Sequence, residues 1–252
     1  YYDRAAKAYE LVWTKFRTGA KAPDALFNAG VLRQALGQNK EAIAHYREYA
    51  NKFRDRKDAP DVAFNIGVVQ ENAGEDGPAY KAYVDYARQY RSSGKRVIEA
   101  YTRAGRMSFK LGQFARAKEE LATAQRLWKA ANGADKKAGT TWAAEARYYE
   151  GELVFRDYEK VSIDVKVAQL NKALTQKTKL LGDAEKIYIS VAEFQDPKWA
   201  TAALYRYGQI YDLFGEALAA SAAKPPANLP ADQVQLTLTR LNCIASAKRS
   251  VS

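Results

Sequence analysis

The segment Ala22-Pro23-Asp24-Ala25-Leu26-Phe27-Asn28-Ala29-Gly30-Val31 recurs as Ala59-Pro60-Asp61-Val62-Ala63-Phe64-Asn65-Ile66-Gly67-Val68, displaced by 37 positions. Self-similarity at a fixed period is the mark of a chain built from stacked supersecondary units, each unable to bury its apolar face alone. The same displacement carries Gly37 to Gly74, Ala42 to Ala79, Tyr46 to Tyr83, Tyr49 to Tyr86 and Ala50 to Ala87. A third copy follows at a displacement of 38, with Gly105, Gly112, Ala117, Leu121 and Ala124 in the corresponding places. Backwards by 37, Ala42, Tyr46 and Phe53 give Ala5, Tyr9 and Phe16. Residues 1–18 are therefore expected to form the second helix of a unit whose first helix lies outside this sequence.

Each unit reads as a helical hairpin. Gly30, Gly67 and Gly105 fall in the first helix, where the lack of a Cβ lets the partner helix approach closely. Gly37, Gly74 and Gly112 fall where the chain reverses, a place that favours left-handed dihedrals. In the second helix, a small Ala and a large residue four positions later share one face and supply the close contact and the packing anchor. Pro23 and Pro60 stand at the head of a first helix, where a missing N–H costs little.

Small residue, Gly, Ala and aromatic at these spacings resemble the tetratricopeptide repeat, whose usual period is about 34 residues. The resemblance implies an all-α fold, an α-α superhelix or solenoid of antiparallel hairpins. The longer periods are expected to come from longer second helices or from turns such as Arg54-Asp55-Arg56-Lys57-Asp58 and Arg91-Ser92-Ser93-Gly94-Lys95.

Beyond residue 130 the pattern loosens. Trp142 to Gly151 resembles another first helix, with Gly151 in the close-approach place. Val167, Leu170, Leu174, Leu181, Tyr188 and Val191 keep helical spacing, so one long helix near 164–195, or two with a slight break at Gly182, should follow. Asp196-Pro197 would end it. A last first-helix-like segment, Ala203 to Tyr211, should close at Gly215 or a little beyond. Pro225, Pro226 and Pro230 make a loop, and Val234, Leu238, Leu241 and Ala245 a terminal capping helix. The expected organisation is regular hairpins over 1–130, degenerate hairpins over 131–222, and a loop with its cap over 223–252, in one continuous solenoid.

The family binds extended peptides or partner helices in a groove lined by its first helices. The places it turns toward such ligands are occupied here by Asp24, Phe27, Asn28, Val31 and Gln34, then by Asp61, Phe64, Asn65, Val68 and Glu71. The third unit contributes Glu99, Thr102, Arg103, Arg106 and Phe109, and the fourth Tyr148, Tyr149, Glu152 and Phe155. In the carboxylate clamp of chaperone adaptors, such helices grip a C-terminal carboxylate. Asn65 and Arg103 match that clamp, but Phe27, Val31 and Glu99 stand where it needs Lys, Asn and Lys, so a chaperone-tail clamp is not expected.

Charge points to the third hairpin. The formal net charge is +11, and between residues 88 and 118 nine basic residues face the single acid Glu99. Arg103, Arg106 and Lys110 share one helical stripe, which is expected to dock a carboxylate-rich segment through charge-assisted hydrogen bonds. An ordinary solvated face is the alternative. Basic and aromatic residues also alternate in Tyr90, Arg91, Tyr101, Arg103 and Arg106. That is a nucleic-acid pattern, but most of these aromatics fall on core positions of the repeat, and nucleic acid is not favoured as a partner.

Chemistry finds little foothold. His45 is the sole histidine and Cys243 the sole cysteine, so neither a His-based metal cluster nor an internal disulfide can be assembled from this sequence. His45 is expected to be exposed and Cys243 a small buried hydrophobe. The glycines follow the repeat rather than a phosphate-cradling loop, and Glu119-Glu120 reads as a solvated pair. Trp13, Trp128, Trp142 and Trp199 read as packing anchors. Neither catalytic residues nor a metal or cofactor is expected.

No stretch of about 18 uncharged apolar residues occurs, so no transmembrane helix is expected. The phrases Ala144-Glu145-Ala146-Arg147-Tyr148 and Asp196 to Arg206 resemble repeat proteins of Gram-negative cell envelopes. That similarity implies a protein-interaction scaffold of a periplasmic or envelope assembly, of Tol-type, outer-membrane or motility kind. A cytoplasmic adaptor or a receptor for one acidic peptide is the alternative, and the oligomeric state is left open.

Overall fold

The computed structural model describes residues 1–91 and 95–222. The proline loop at 225–230, the expected terminal helix with Cys243, and Ser92-Ser93-Gly94 lie outside the described residues. Among those described, the chain forms ten helices and no strand. It divides into two compact units, residues 1–146 and 147–252, with the division falling inside one helix.

The first unit holds α1 (Tyr2–Lys15), α2 (Ala22–Ala35), α3 (Asn39–Lys52), α4 (Ala59–Asn72), α5 (Asp76–Gln89), α6 (Val97–Lys110), α7 (Phe114–Ala130) and the first part of α8 (Gly133–Glu159). Consecutive helices from α1 to α7 pack on one another. Helices α2 to α6 are each 14 residues long. The step from 37 to 38 therefore lies in the segments between hairpins, residues 53–58 and 90–96.

Glycine closes each hairpin in the left-handed region. Gly37, Gly74 and Gly112 have φ of 72°, 74° and 70°. Beside them Gln38 N–H donates to Arg33 O at 2.9 Å, Glu75 N–H to Gln70 O at 2.9 Å, and Gln113 N–H to Ser108 O at 2.8 Å. This double closure satisfies carbonyls that the helix end would otherwise leave orphaned.

The other glycines set the helix spacing. A Cβ on Gly30 would stand 2.6 Å from Tyr46 Cε1, on Gly67 2.6 Å from Tyr83 Cε1, and on Gly105 2.7 Å from Leu121 Cδ2. Each anchor is buried, so the repeat is a ring or branched side chain seated in a notch of bare backbone. Phe64, Tyr83 and Tyr86 pack edge-on or tilted around the second hairpin, with centroids 5.1–5.2 Å apart.

The second unit, described from Arg147 to Ala222, holds the rest of α8 with α9 (Val167–Ala192) and α10 (Pro197–Ala222). Its notch is Gly151, where a Cβ would stand 2.5 Å from Tyr188 Cε1. In this unit the anchor comes from the far end of a 26-residue helix. Helix α9 passes Gly182 unbroken, and α10 likewise continues through Gly215 instead of closing there. Ile210, Phe214 and Leu218 explain the second outcome, since their buried stripe continues past the glycine. Asp196 Oδ1 accepts from Trp199 N–H at 3.1 Å and so caps α10, with Pro197 at its first position.

Candidate interaction face

The first helices carry the residues expected from the sequence to face a ligand. Asn28 on α2 and Asn65 on α4 stand in the same register, each two positions before its notch glycine. Both are half-buried, and neither carboxamide has a hydrogen-bond partner among the described residues. Val31, next to Gly30, is exposed, and Val68, its equivalent, is half-buried. Asp24 at the head of α2 lies 3.6 Å from Arg56 and 3.7 Å from Lys21.

The phenylalanines differ from the expectation of ligand-facing rings. Phe27 is half-buried against Tyr46 and Tyr49, at 6.2 and 6.1 Å between centroids. Phe64 is wholly enclosed, with the Arg96 guanidinium 3.7 Å above its ring. The reason is the hairpin itself: a ring three residues before the notch glycine lies on the tyrosine that fills the notch.

The basic stripe is corrected more deeply. Arg103 donates to Glu71 and to Glu99, each at 2.8 Å, and stacks 4.7 Å over Trp142. Arg106 is paired with both Glu71 and Glu145, and Lys110 lies 3.4 Å from Asp76. Glu99 is also held by Arg96 at 2.7 Å. Charge summed along one segment omitted the acids that α4, α5 and α8 bring to it. Glu99 and Glu145 are buried, so these are enclosed pairs whose partners cannot be withdrawn cheaply. Of the cations between residues 88 and 118, those that face solvent are Arg88, Arg91, Lys95, Lys110, Arg116 and Lys118.

Glu71 is the hub. Burial pushes its carboxyl upward, but hydrogen bonds from Tyr83 and Arg103 and the charge of Arg106 outweigh this and hold it below the usual glutamate value. The equivalent residue Gln34 accepts from Tyr46 at 2.9 Å, and burial lifts that tyrosine hydroxyl to about 12. In the second unit the Tyr188 hydroxyl donates to Glu152 at 2.8 Å, and Arg206 donates to the other oxygen of Glu152 at 2.8 Å. An acceptor for the notch tyrosine thus recurs in both units.

Tyr148 and Tyr149 meet each other edge-on at 5.5 Å and both pack on Trp199, at 5.2 and 6.2 Å. They form a half-buried aromatic cluster of the second unit.

His45 departs from its expected exposure. Its Nε2 is 3.0 Å from Glu10, the same carboxylate that takes two bonds of 2.6 Å from Arg33. Glu120 likewise is no freely solvated acid: it accepts from Tyr80 at 3.1 Å, and burial raises its carboxyl above the usual value. Both misreadings have one source, since an acid or base on a neighbouring second helix is invisible to spacing within one helix. Among the described residues no helix is long and apolar enough to cross a membrane, and no group of three or more His, Cys, Asp or Glu could hold a metal ion.

The fold is an all-α helical repeat. Its sequence matches no protein-family model and no curated protein. Among solved structures it is similar to the crystal structure of BtubC (BKLC) from P. vanneervenii, at 14% identity, with 84% of this chain and 89% of that one covered and a TM-score of 0.44.

Proposed function

We propose that the chain is a tetratricopeptide-type scaffold that holds segments of partner proteins against its first helices, with Asn28 and Asn65 gripping the backbone of an extended peptide. The observation that carries this reading is the pair of unengaged carboxamides in one register of successive hairpins. A carboxamide offers an acceptor oxygen and two N–H donors, which is what a peptide group needs when its own N–H and C=O leave water. Two of them one repeat apart read peptide backbone rather than sequence, with Val31 and Val68 beside them as apolar contacts.

Arg103 and Arg106 enter this reading as structural residues, because their charge is already spent on Glu71, Glu99 and Glu145. A partner in a cell-envelope assembly follows from the resemblance of residues 144–148 and 196–206. Selection of peptides from a display library on the whole chain tests the proposal. The selected peptides should bind Asn28→Ala and Asn65→Ala at least about tenfold more weakly, the equivalent of one or two lost hydrogen bonds. Equal binding by the double variant would overturn it.

A further inference from the structure

Helix α1 ends as α3 does. Phe16 N–H donates to Val12 O and Phe53 N–H to Tyr49 O, both at 2.9 Å. The following turns match as well, Gly19 N–H to Phe16 O at 2.9 Å and Arg56 N–H to Phe53 O at 3.0 Å. α1 is therefore a second helix in geometry as well as in sequence.

A second helix has two apolar faces. One turns to the next hairpin, and in α1 this face is filled: Ala6 and Trp13 are buried, and Glu10 and Asp3 hold Arg33 of α2. The other face meets the first helix of its own hairpin. In α3 and α5 it carries Tyr46 and Tyr83, which are 1% and 0% exposed because Gly30 and Gly67 receive them. In α1 the equivalent Tyr9 is 38% exposed, and Phe16, two turns further along the same face, is exposed too. The Tyr9 hydroxyl has no partner among the described residues, whereas Tyr46 and Tyr83 each donate to an acceptor four residues after the notch glycine.

The repeat thus specifies what covers this face. We propose that the exposed face of α1 is the docking site of a single helix of the pattern Phe-x-x-Gly-x-x-x-Glu/Gln, as in α2 and α4. Its glycine receives the Tyr9 ring, its phenylalanine lies on that ring as Phe27 and Phe64 do on theirs, and its carboxylate or carboxamide accepts the Tyr9 hydroxyl. The occupant packs along α1 as the first member of a hairpin.

The test adds a labelled peptide of residues 59–74 to the whole chain and reads its anisotropy. Binding is expected, weakened at least about tenfold by Tyr9→Ala in the chain or by Gly67→Leu in the peptide. A helix of this length is marginal alone, so a second arm places the same 16 residues directly ahead of Tyr1, where Gly74 meets Tyr1 as Gly37 meets Gln38. Amide exchange across α1 should slow at least about tenfold, and the graft carrying Gly67→Leu should not slow it. Failure of both arms overturns the proposal. So does equal binding of an amphipathic peptide without glycine, or a dimer of the unmodified chain that Tyr9→Ala dissolves, which would make a second copy the occupant. Because Asn28 and Asn65 lie on other helices, their variants leave this result unchanged, and the two proposals fail separately.

Discussion

Tyr83 lies with its ring on the bare backbone of Gly67 and its hydroxyl 2.7 Å from Glu71, so one side chain joins the notch of a hairpin to its charge network. A methyl group on Gly67 would meet Cε1 at 2.6 Å and Cδ1 at 2.8 Å. The ring has no easy retreat, being wedged on Phe64 with 5.2 Å between centroids. Gly67→Ala is expected to destabilise the chain by about 1–3 kcal/mol, the usual cost of overpacking a core. Gly182→Ala is the contrasting variant. It sits within α9 with nothing inside 4 Å of the added carbon and should stabilise by about 0.5–1 kcal/mol. Denaturant titration of the two variants checks both signs.

Glu71 gives the chain an acid-sensitive joint. Its folded carboxyl titrates below the usual value of 4.5. The stability it contributes is therefore complete above 4.5 and is lost as pH falls through its lowered folded value. Glu10, held down chiefly by the hydrogen bond from Arg33, adds a loss of the same sign. Glu71→Gln should lower stability at neutral pH by about 3 kcal/mol, since it strips a shared acid from Arg103 and Arg106. It should also flatten the acid limb of a stability-against-pH curve. An acid limb as steep as that of the unmodified chain would show that Glu71 is not the group responsible.

How far the sequence reached follows from which residues speak to their own helix and which to a neighbour. Gly30, Gly37, Gly67 and Gly74 were legible because a notch and a left-handed turn impose themselves at fixed spacing, copy after copy. Asn28 and Asn65 followed from the same register. Arg103 and Arg106 were legible as a stripe but not as ion pairs, because Glu71 lies 32 and 35 residues upstream of them. Glu145 lies 39 residues downstream of Arg106, on α8. Tyr188 as the partner of Gly151 was hidden for a similar reason. The equivalent spacing elsewhere is that of Gly30 to Tyr46, and only the lengths of α8 and α9 bring the more distant tyrosine to the notch.

Charge reversal separates the two roles that the third hairpin could have. Arg103→Glu places a new carboxylate against Glu71 and Glu99, which Arg103 now joins at 2.8 Å each. The expected outcome is loss of folding stability by about 3–5 kcal/mol, the range for breaking an enclosed pair, seen as a lowered melting temperature before any ligand is added. Reversing exposed Lys118 should leave melting within about 0.5 kcal/mol of the original. A stably folded Arg103→Glu chain would return the basic stripe to consideration as a docking surface.

Lys177 makes the last prediction, in the second unit. It is buried on α9, and its ammonium donates to Tyr158 O at 3.1 Å and Val161 O at 2.8 Å while lying 3.9 Å over the Tyr158 ring. It thereby closes the end of α8, where Val161 N–H also reaches Tyr158 O at 3.1 Å. Lys177→Met keeps the apolar stem but leaves Val161 O without this donor, so stability at neutral pH should fall by about 1–2 kcal/mol. The alkaline side carries the opposite sign. Burial depresses the ammonium below its usual 10.5, so the folded chain gives up this proton before the unfolded chain does. The group's contribution therefore rises with pH from its lowered folded value up to 10.5. Tyrosines raised by burial, such as Tyr49 at about 12, act against stability above their usual value of 10.0, but they do so equally in both chains. The difference between the unmodified chain and Lys177→Met isolates the lysine: it should widen between neutral pH and 10.5, and a constant difference would mean that Lys177 is not depressed by its burial.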